Sequence, residues 1–481
     1  MDDYRLYNVA YKHLLYSILF GFYPPGSSLP SVPELCNFFG VSRSTIHSAL
    51  KMLQDEQYIS RNRGRSPIVT HTAELAACRE KYFTYCQSTK DALLDLSGIL
   101  WMIWPEIVLQ GLKQCGEQEL DALSKIADTM TERAEYPYLD FIYRILQHLG
   151  NPLLLNLYLG TILFGHCSPT QLGDEAYRRD YMVQMRKVSA QILSLRRAEN
   201  YGELKAFLTL YYHRRVEAMR RFYDSLPLSD IRADPVPYRW NYYTERPSVG
   251  FDLAMKLLRE IYASYRPMDY LPSVAALSKQ YSLPVITVRR AVQLLNDIGV
   301  AESINGKGTR VTVGSGTTVH VSRLSTPNMK KVLLPYLQSV QVILLVCRDV
   351  ARTIFPTLPD CAVQTAAAWL REILASGDYS LTFGAAFKLL LTSTQSAALK
   401  EILGGLMYFQ YLGYPLRDME PNRFRYDPRS TRALLKSLEA RDAERFAGEL
   451  QILMSDIFQA GKEKLLSGGV TEAGALVMPL F

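Results

Sequence analysis

Two short strings in this 481-residue chain carry side chains suited to donating hydrogen bonds and placing charge. The first is Ser42-Arg43-Ser44-Thr45, followed by His47 and Lys51; the second is Arg61-Asn62-Arg63-Gly64-Arg65. Hydroxyls, an imidazole and guanidinium groups at such spacing match the acceptors that nucleic acid offers on phosphates and base edges. Local structure decides whether they can act together. Ile46, Ala49, Leu50 and Leu53 recur at helical spacing, so one stripe of a helix faces a core and Arg43, Ser44, His47 and Lys51 face outward. Ser42 is placed to cap that helix after the turn Phe39-Gly40-Val41. Tyr58-Ile59-Ser60 and Ile68-Val69-Thr70 read as two short strands joined by the basic loop, whose Gly64 suits a left-handed turn. A helix pair followed by a basic hairpin predicts a winged helix-turn-helix.

The same pattern returns 242 positions later without a gap. Between Leu29–Val69 and Leu271–Val311 there are 11 identities, at Leu29, Pro30, Ser31, Val32, Leu35, Thr45, Ala49, Leu53, Asp55, Gly64 and Val69. The second copy departs where the first is most polar: Pro284-Val285-Ile286-Thr287 replaces Ser42-Arg43-Ser44-Thr45. Thr287, Arg289 and Arg290 remain as polar candidates, and Asn305-Gly306-Lys307-Gly308-Thr309-Arg310 keeps a glycine pattern that the first hairpin loses at Ser66. Val285 and Ile286 either meet thymine methyls in a major groove or pack against another domain.

The strings PPGSSLPS at Pro24–Ser31, FGVSRSTIHSAL at Phe39–Leu50 and RNRGRSPIV at Arg61–Val69 resemble the N-terminal winged helix of GntR-family bacterial transcription regulators. The resemblance spans nearly all of the first 70 residues. It implies DNA contacts from Arg43, Ser44, Thr45, His47, Arg63 and Gly64, with Ser42, Arg61 and Arg65 beside them. Pro33 stands where the family usually has an arginine in the preceding helix.

Each winged helix precedes a stretch without strand alternation. The expected division is 1–72, winged helix; 73–233, helical domain; 234–247, a Pro- and Tyr-rich linker; 248–315, second winged helix; and 316–481, second helical domain. The fold class is therefore mainly α. Ile103-Trp104-Pro105 is paired with Ile354-Phe355-Pro356 as a counterpart, and Phe141–Leu154 with Phe387–Lys400 by helix pattern. Tyr201-Gly202-Glu203-Leu204 and Ala440-Arg441-Asp442-Ala443 open the last helix of each half. These stretches resemble the FCD effector domains of the FadR-like branch of the family. That resemblance implies an effector pocket or a dimerisation surface, and in many members a metal held by one aspartate and three histidines. Here Ile142 and Lys388 occupy a ligand position and only His213 falls where a late ligand belongs, so no metal or other cofactor is expected. Arg144, His148, His166, Arg348 and Arg352 are candidates for a pocket, with solvent exposure or ion pairing as their more ordinary use.

Composition narrows the classes further. The net charge is +7; residues 1–72 carry seven Lys/Arg against five Asp/Glu, and residues 248–313 eight against five, so salt should weaken any DNA affinity. Seven cysteines, at 36, 78, 86, 115, 167, 347 and 361, include no paired CxxC and point to a reducing, cytoplasmic compartment. The polar start Met-Asp-Asp-Tyr-Arg gives no expectation of a signal peptide. The run Val332–Cys347, interrupted by Pro335, Gln338, Ser339 and Gln341, reads as a buried helix and no membrane partner is expected. No G-x-x-x-x-G-K-[ST], H-E-x-x-H or G-x-S-x-G string occurs, and the roughly 160 residues after each winged helix lack the strand–helix alternation of an aminotransferase-like domain. Two functions stay open. One is a regulator, repressing by analogy with the family, that binds a double-stranded operator as an internal pseudo-dimer or a homodimer and senses a small-molecule effector. The other is a protein-interaction adaptor whose winged helices no longer read DNA.

Overall fold

The computed structural model describes residues 6–39, 41–61, 65–72, 75–130, 136–164, 175–240, 249–313, 324–413, 416 and 428–481. The chain forms two compact units, one of residues 1–245 with 396–401 and one of residues 246–395 with 402–481. Each unit holds one winged helix and the helices C-terminal to it.

In the first unit, α1 (Leu6–Leu19), α2 (Val32–Phe39) and α3 (Arg43–Asp55) precede β1 (Ile59–Ser60) and β2 (Ile68–Val69). Ala10, Leu14 and Ile18, one helical turn apart on α1, close over Leu35 and Phe39 of α2 and Ile46, Ala49, Leu50 and Leu53 of α3. Burial of each of the larger side chains contributes roughly 1.5–3 kcal/mol. A capping box starts α2: Ser31 N donates to Glu34 Oε2 at 2.7 Å and Glu34 N donates to Ser31 Oγ at 3.4 Å. Those bonds hold the Glu34 carboxyl below its ordinary range.

The second unit repeats this geometry at the 242-residue offset. Its helices are α10 (Val249–Ser264), α11 (Val274–Tyr281) and α12 (Val285–Asp297), followed by β3 (Ala301–Ile304) and β4 (Gly308–Val311). The α12 stripe Val288, Ala291, Val292 and Leu295 is the buried counterpart of the α3 stripe. Pairing of Ile59 with Val69 and of Ser60 with Ile68 returns as Ala301 with Val311 and Glu302 with Arg310. Even the bridge from Ser28 to Ile68 has its match from Tyr270 to Arg310. The bend ahead of that bridge is left-handed in both, but Gly26 (φ 83°) is replaced by Met268 (φ 76°), which strains an L side chain.

The remaining helices of the first unit are α4 (Leu75–Lys113), α5 (Glu117–Asp128), α6 (Tyr136–Gln147), α7 (Pro152–Leu163), α8 (Glu175–Arg197) and α9 (Tyr201–Ser225). Helices α4 and α9 run together, and between them Glu106 has both carboxylate oxygens satisfied, by Lys205 Nζ at 2.6 Å and Gln110 Nε2 at 2.8 Å. Arg196 donates to the carbonyls of Leu112 and Cys115 at 2.7 and 2.9 Å, closing the C-terminal end of α4. The second unit continues with α13 (Pro327–Ile354), α14 (Asp360–Ser376), α15 (Thr382–Ser393), α16 (Ala397–Gln410), α17 (Pro428–Glu439) and α18 (Ala443–Ser467). Helices α9 and α18 are both 25 residues long, begin 242 residues apart, and are capped by Asn200 and Asp442 side chains, as expected for the last helix of each half. The apolar run Val332–Cys347 is a buried helix, as expected. By length and composition 35- and 31-residue stretches, Arg79–Lys113 and Pro327–Thr357, could cross a membrane, but 72% of each apolar window is buried within the protein, as in core helices.

One expectation is corrected. Ile103-Trp104-Pro105 lies inside α4, whereas Ile354-Phe355-Pro356 spans the end of α13 and a 3₁₀ turn, so the two are not structural counterparts. Residues 234–240, within the stretch expected as the linker, are held against the first unit: Val236 N donates to Ser88 O at 2.8 Å, and buried Trp240 donates from Nε1 to Asn156 Oδ1 at 2.9 Å. The first winged helix shares its core with the helices that follow, because Leu159 and Leu163 of α7 pack into it.

His13 on α1 is buried beside Phe38 and Phe39, with ring centroids 5.5 and 5.6 Å away, and burial pushes its pKa down to about 4 from 6.5. The folded state therefore binds that proton less readily than the unfolded chain. Stability should be intact above pH 6.5 and fall by about 3 kcal/mol as pH drops toward 4. Urea unfolding across that range should show the step in the parent chain and a smaller one in His13→Leu; equal steps would contradict it. Met268→Gly should raise the stability of the second unit by about 0.5–1 kcal/mol, read as a higher urea midpoint.

Candidate nucleic-acid interface

The outward face of α3 is set by what its inward face must bury. With Ile46, Ala49, Leu50 and Leu53 inside, Arg43, Ser44, His47, Ser48 and Lys51 are exposed and Thr45 is half-buried. Ser42 spends its hydroxyl on the helix start: Oγ accepts from Thr45 N at 3.3 Å and lies 2.7 Å from Ser44 Oγ and 2.9 Å from Thr45 Oγ1. Its role here is a cap that orders the neighbouring hydroxyls.

His47 and Arg61 are joined in a way the sequence did not suggest. Arg61 Nη2 lies 2.8 Å from His47 Nδ1. A guanidinium only donates, so Nδ1 accepts and the neutral ring carries its proton on Nε2. The base of the hairpin is thereby tied to the recognition helix, with an N–H donor left on the imidazole. Arg65 is exposed, and Arg63 and Gly64 lie outside the described residues.

On α12 the same positions carry different chemistry. Val285, Ile286, Arg289, Arg290 and Gln293 are exposed where the first copy has Arg43, Ser44, His47, Ser48 and Lys51, and Thr287 is half-buried. Pro284 caps the helix without a side-chain bond. The second hairpin is the better formed: Gly306 (φ 75°) and Gly308 (φ 109°) take left-handed conformations, and Lys307 N donates to Ile304 O at 3.0 Å. Asn305, Gly306 and Lys307 are exposed at its tip, while Arg310 is engaged by Glu302 at 2.7 Å across the strands. Ser66 stands in the place of Gly308, and described pairing in the first hairpin stops two rungs earlier, at Ser60 and Ile68. A serine cannot readily adopt the φ that Gly308 uses.

The expected pocket residues do not converge. Arg144 pairs with Asp140 at 2.9 Å, Arg348 and Arg352 both meet Glu444, His148 is half-buried, and His166 lies outside the described residues. His213 stacks on Trp101 at 4.5 Å. Ile142 is a buried core residue, and among the described residues no three His, Cys, Asp or Glu side chains are grouped to hold a metal, so the residues present do not fit the metal centre of FCD domains. A different cation stands out. Arg215 of α9 is half-buried among Tyr138, Tyr181, Tyr211 and Tyr212, and donates to Tyr211 Oη at 3.3 Å. Burial raises the pKa of Tyr138 and Tyr212, so these phenols stay neutral and supply no counter-ion. Arg215 makes no ion pair among the described residues. Periodicity alone could not find it, since its neighbours come from α6, α8 and α9.

Comparison with known proteins bears on the two winged helices. Residues 6–69 and 252–311 match the model of the family described as bacterial regulatory proteins, gntR family. A relative named fatty acid metabolism regulator protein, from Shewanella amazonensis, is 23% identical over 245 residues, which cover 47% of this chain and 95% of that protein. A putative GntR transcriptional regulator from Rhodococcus sp. RHA1 is similar at 16% identity and a TM-score of 0.26, covering 46% of this chain and 99% of that one. A GntR family member from Pseudomonas syringae pv. tomato gives 16% and 0.24, covering 46% and 88%. Each family match falls on one of the winged helices built above, so it is these two domains that are similar to the gntR family of bacterial regulatory proteins.

Proposed function

We propose that the chain is a sequence-specific DNA-binding regulator of transcription whose two winged helices read the two halves of one operator, as an internal pseudo-dimer. The observation that carries this reading is the recurrence of strand register, caps and buried stripe at one offset, combined with outward stripes that differ. A shared scaffold with divergent outward residues is what two readers of different half-sites require. A relative that aligns over 95% of its own length with 47% of this chain supports the reading of one half as the equivalent of a full regulator. The operator should therefore be asymmetric.

A second reading concerns the effector. Arg215, without a carboxylate partner among the described residues and set among neutral tyrosines, favours a ligand with an anionic head and an apolar or aromatic body. The name of the Shewanella relative, a regulator of fatty acid metabolism, is compatible with a carboxylate on an acyl chain.

Selection of duplexes from a random pool with the full chain should return asymmetric sites bound by single chains in light scattering. Perfect inverted repeats, or two chains per duplex, would sink the pseudo-dimer. Arg43→Ala should weaken binding to a selected site by about 1–3 kcal/mol, which a gel shift will resolve; failure to bind any duplex would favour the adaptor. For the effector, decanoate should raise the melting temperature of the parent chain and not that of Arg215→Gln, and equal shifts in both would exclude Arg215 from the site.

A further inference from the structure

Val285 and Ile286 are 43% and 57% exposed, at the first turn of a helix whose buried stripe is already complete. Ile286, Arg289, Arg290 and Gln293 succeed one another at i, i+3, i+4 and i+7, so the apolar turn and two guanidinium groups share one face. Arg289 and Arg290 make no ion pair among the described residues. The corresponding face of α3 begins with Arg43 and Ser44 and carries His47 and Ser48 one turn later. The second copy has thus exchanged polar for apolar at the leading turn and gained cations behind it.

We infer that the leading turn of α12 reads the C5-methyl groups of thymines, with Val285 and Ile286 as the specificity-determining residues of the second half-site. This rests on the proposed reading of the chain as a DNA-binding regulator. A protein partner covering Ile286 would also have to take Arg289 and Arg290 out of water, and could do so only with carboxylates placed against both. Duplex DNA supplies both needs at once: a thymine methyl on the groove floor is apolar, and the flanking phosphates are anionic. The exposed Lys307, on a fully paired hairpin, adds a further cation to the same winged helix.

The test replaces thymine by uracil, which removes the methyl and keeps every hydrogen-bonding group. A duplex selected by the full chain is resynthesised with uracil in one half-site at a time. Uracil in the half-site read by α12 should weaken binding about fourfold per methyl lost, the value of one buried methyl-sized group. That sensitivity should disappear in Val285→Ser/Ile286→Ser, whose exposed positions leave the core intact, and persist in Arg43→Ala. If the parent chain binds the selected duplex in an Arg43-dependent manner but is indifferent to uracil everywhere, the thymine reading is overturned while DNA binding stands. Uracil sensitivity that survives Val285→Ser/Ile286→Ser overturns the assignment to these residues. If no duplex is selected at all, the DNA-binding reading fails and this inference falls with it. A double variant that keeps full affinity for the selected site assigns the apolar turn to a protein partner instead.

Discussion

The structure depends on the burial of four apolar positions on each recognition helix. Ile46, Ala49, Leu50 and Leu53 on α3, and Val288, Ala291, Val292 and Leu295 on α12, fix the rotation of each helix about its axis. Once that rotation is fixed, the residues at Ser44, His47 and Lys51, or at Ile286, Arg289 and Gln293, have to face outward. A shift by one residue would bury an arginine or a histidine and cost more than any surface contact could return. The reading face is thus a by-product of core packing, which is why two copies with few identical residues present the same face.

The hairpins show a second constraint, this time of the backbone. Left-handed conformations at Gly306 and Gly308 let β3 and β4 pair over four rungs, whereas among the described residues of the first hairpin, where Ser66 stands in the place of Gly308, two rungs pair. The first hairpin is tied to α3 through Arg61 and His47. The second hairpin has a tie of its own, since Asn296 Nδ2 of α12 donates to Ser303 Oγ of β3 at 2.8 Å, so each hairpin is joined to its helix by a side-chain bond of different chemistry. The Arg61–His47 tie uses two residues that also belong to the polar surface, so the first reader exchanges some independent reach for order.

Much of this was legible in the sequence, because helical period, cap residues and glycine placement act locally. Ser42 as an N-cap, the α3 and α12 stripes, the buried Val332–Cys347 helix and the capped last helices all come from spacing of a few residues. The features that escaped involve partners far apart in the chain. The Arg61–His47 bond spans 14 residues, Trp240 finds Asn156 across 84, and Arg215 is surrounded by tyrosines from several helices. The pairing of Ile103-Trp104-Pro105 with Ile354-Phe355-Pro356 misled for a related reason. A proline tolerated inside one long helix and a proline ending another leave the same local string, and only packing distinguishes them.

A regulator made of two identical chains carries identical readers, related by a two-fold axis, and any change in one appears in the other. In a chain that holds both readers the constraint is lifted. Val285 and Ile286 would be a poor choice in a symmetric dimer whose operator required Arg43 and Ser44 in both halves; under the proposed reading each turn would be free to suit its own bases. The modest charge of both winged helices fits this division. With seven cations against five anions in one and eight against five in the other, neither gains much from non-specific attraction, so on the proposed reading the covalent link would raise the local concentration of the second reader once the first is bound. Under that constraint, divergence of the two faces adds sequence information at little electrostatic cost, whereas adding charge to either would raise affinity for all DNA alike.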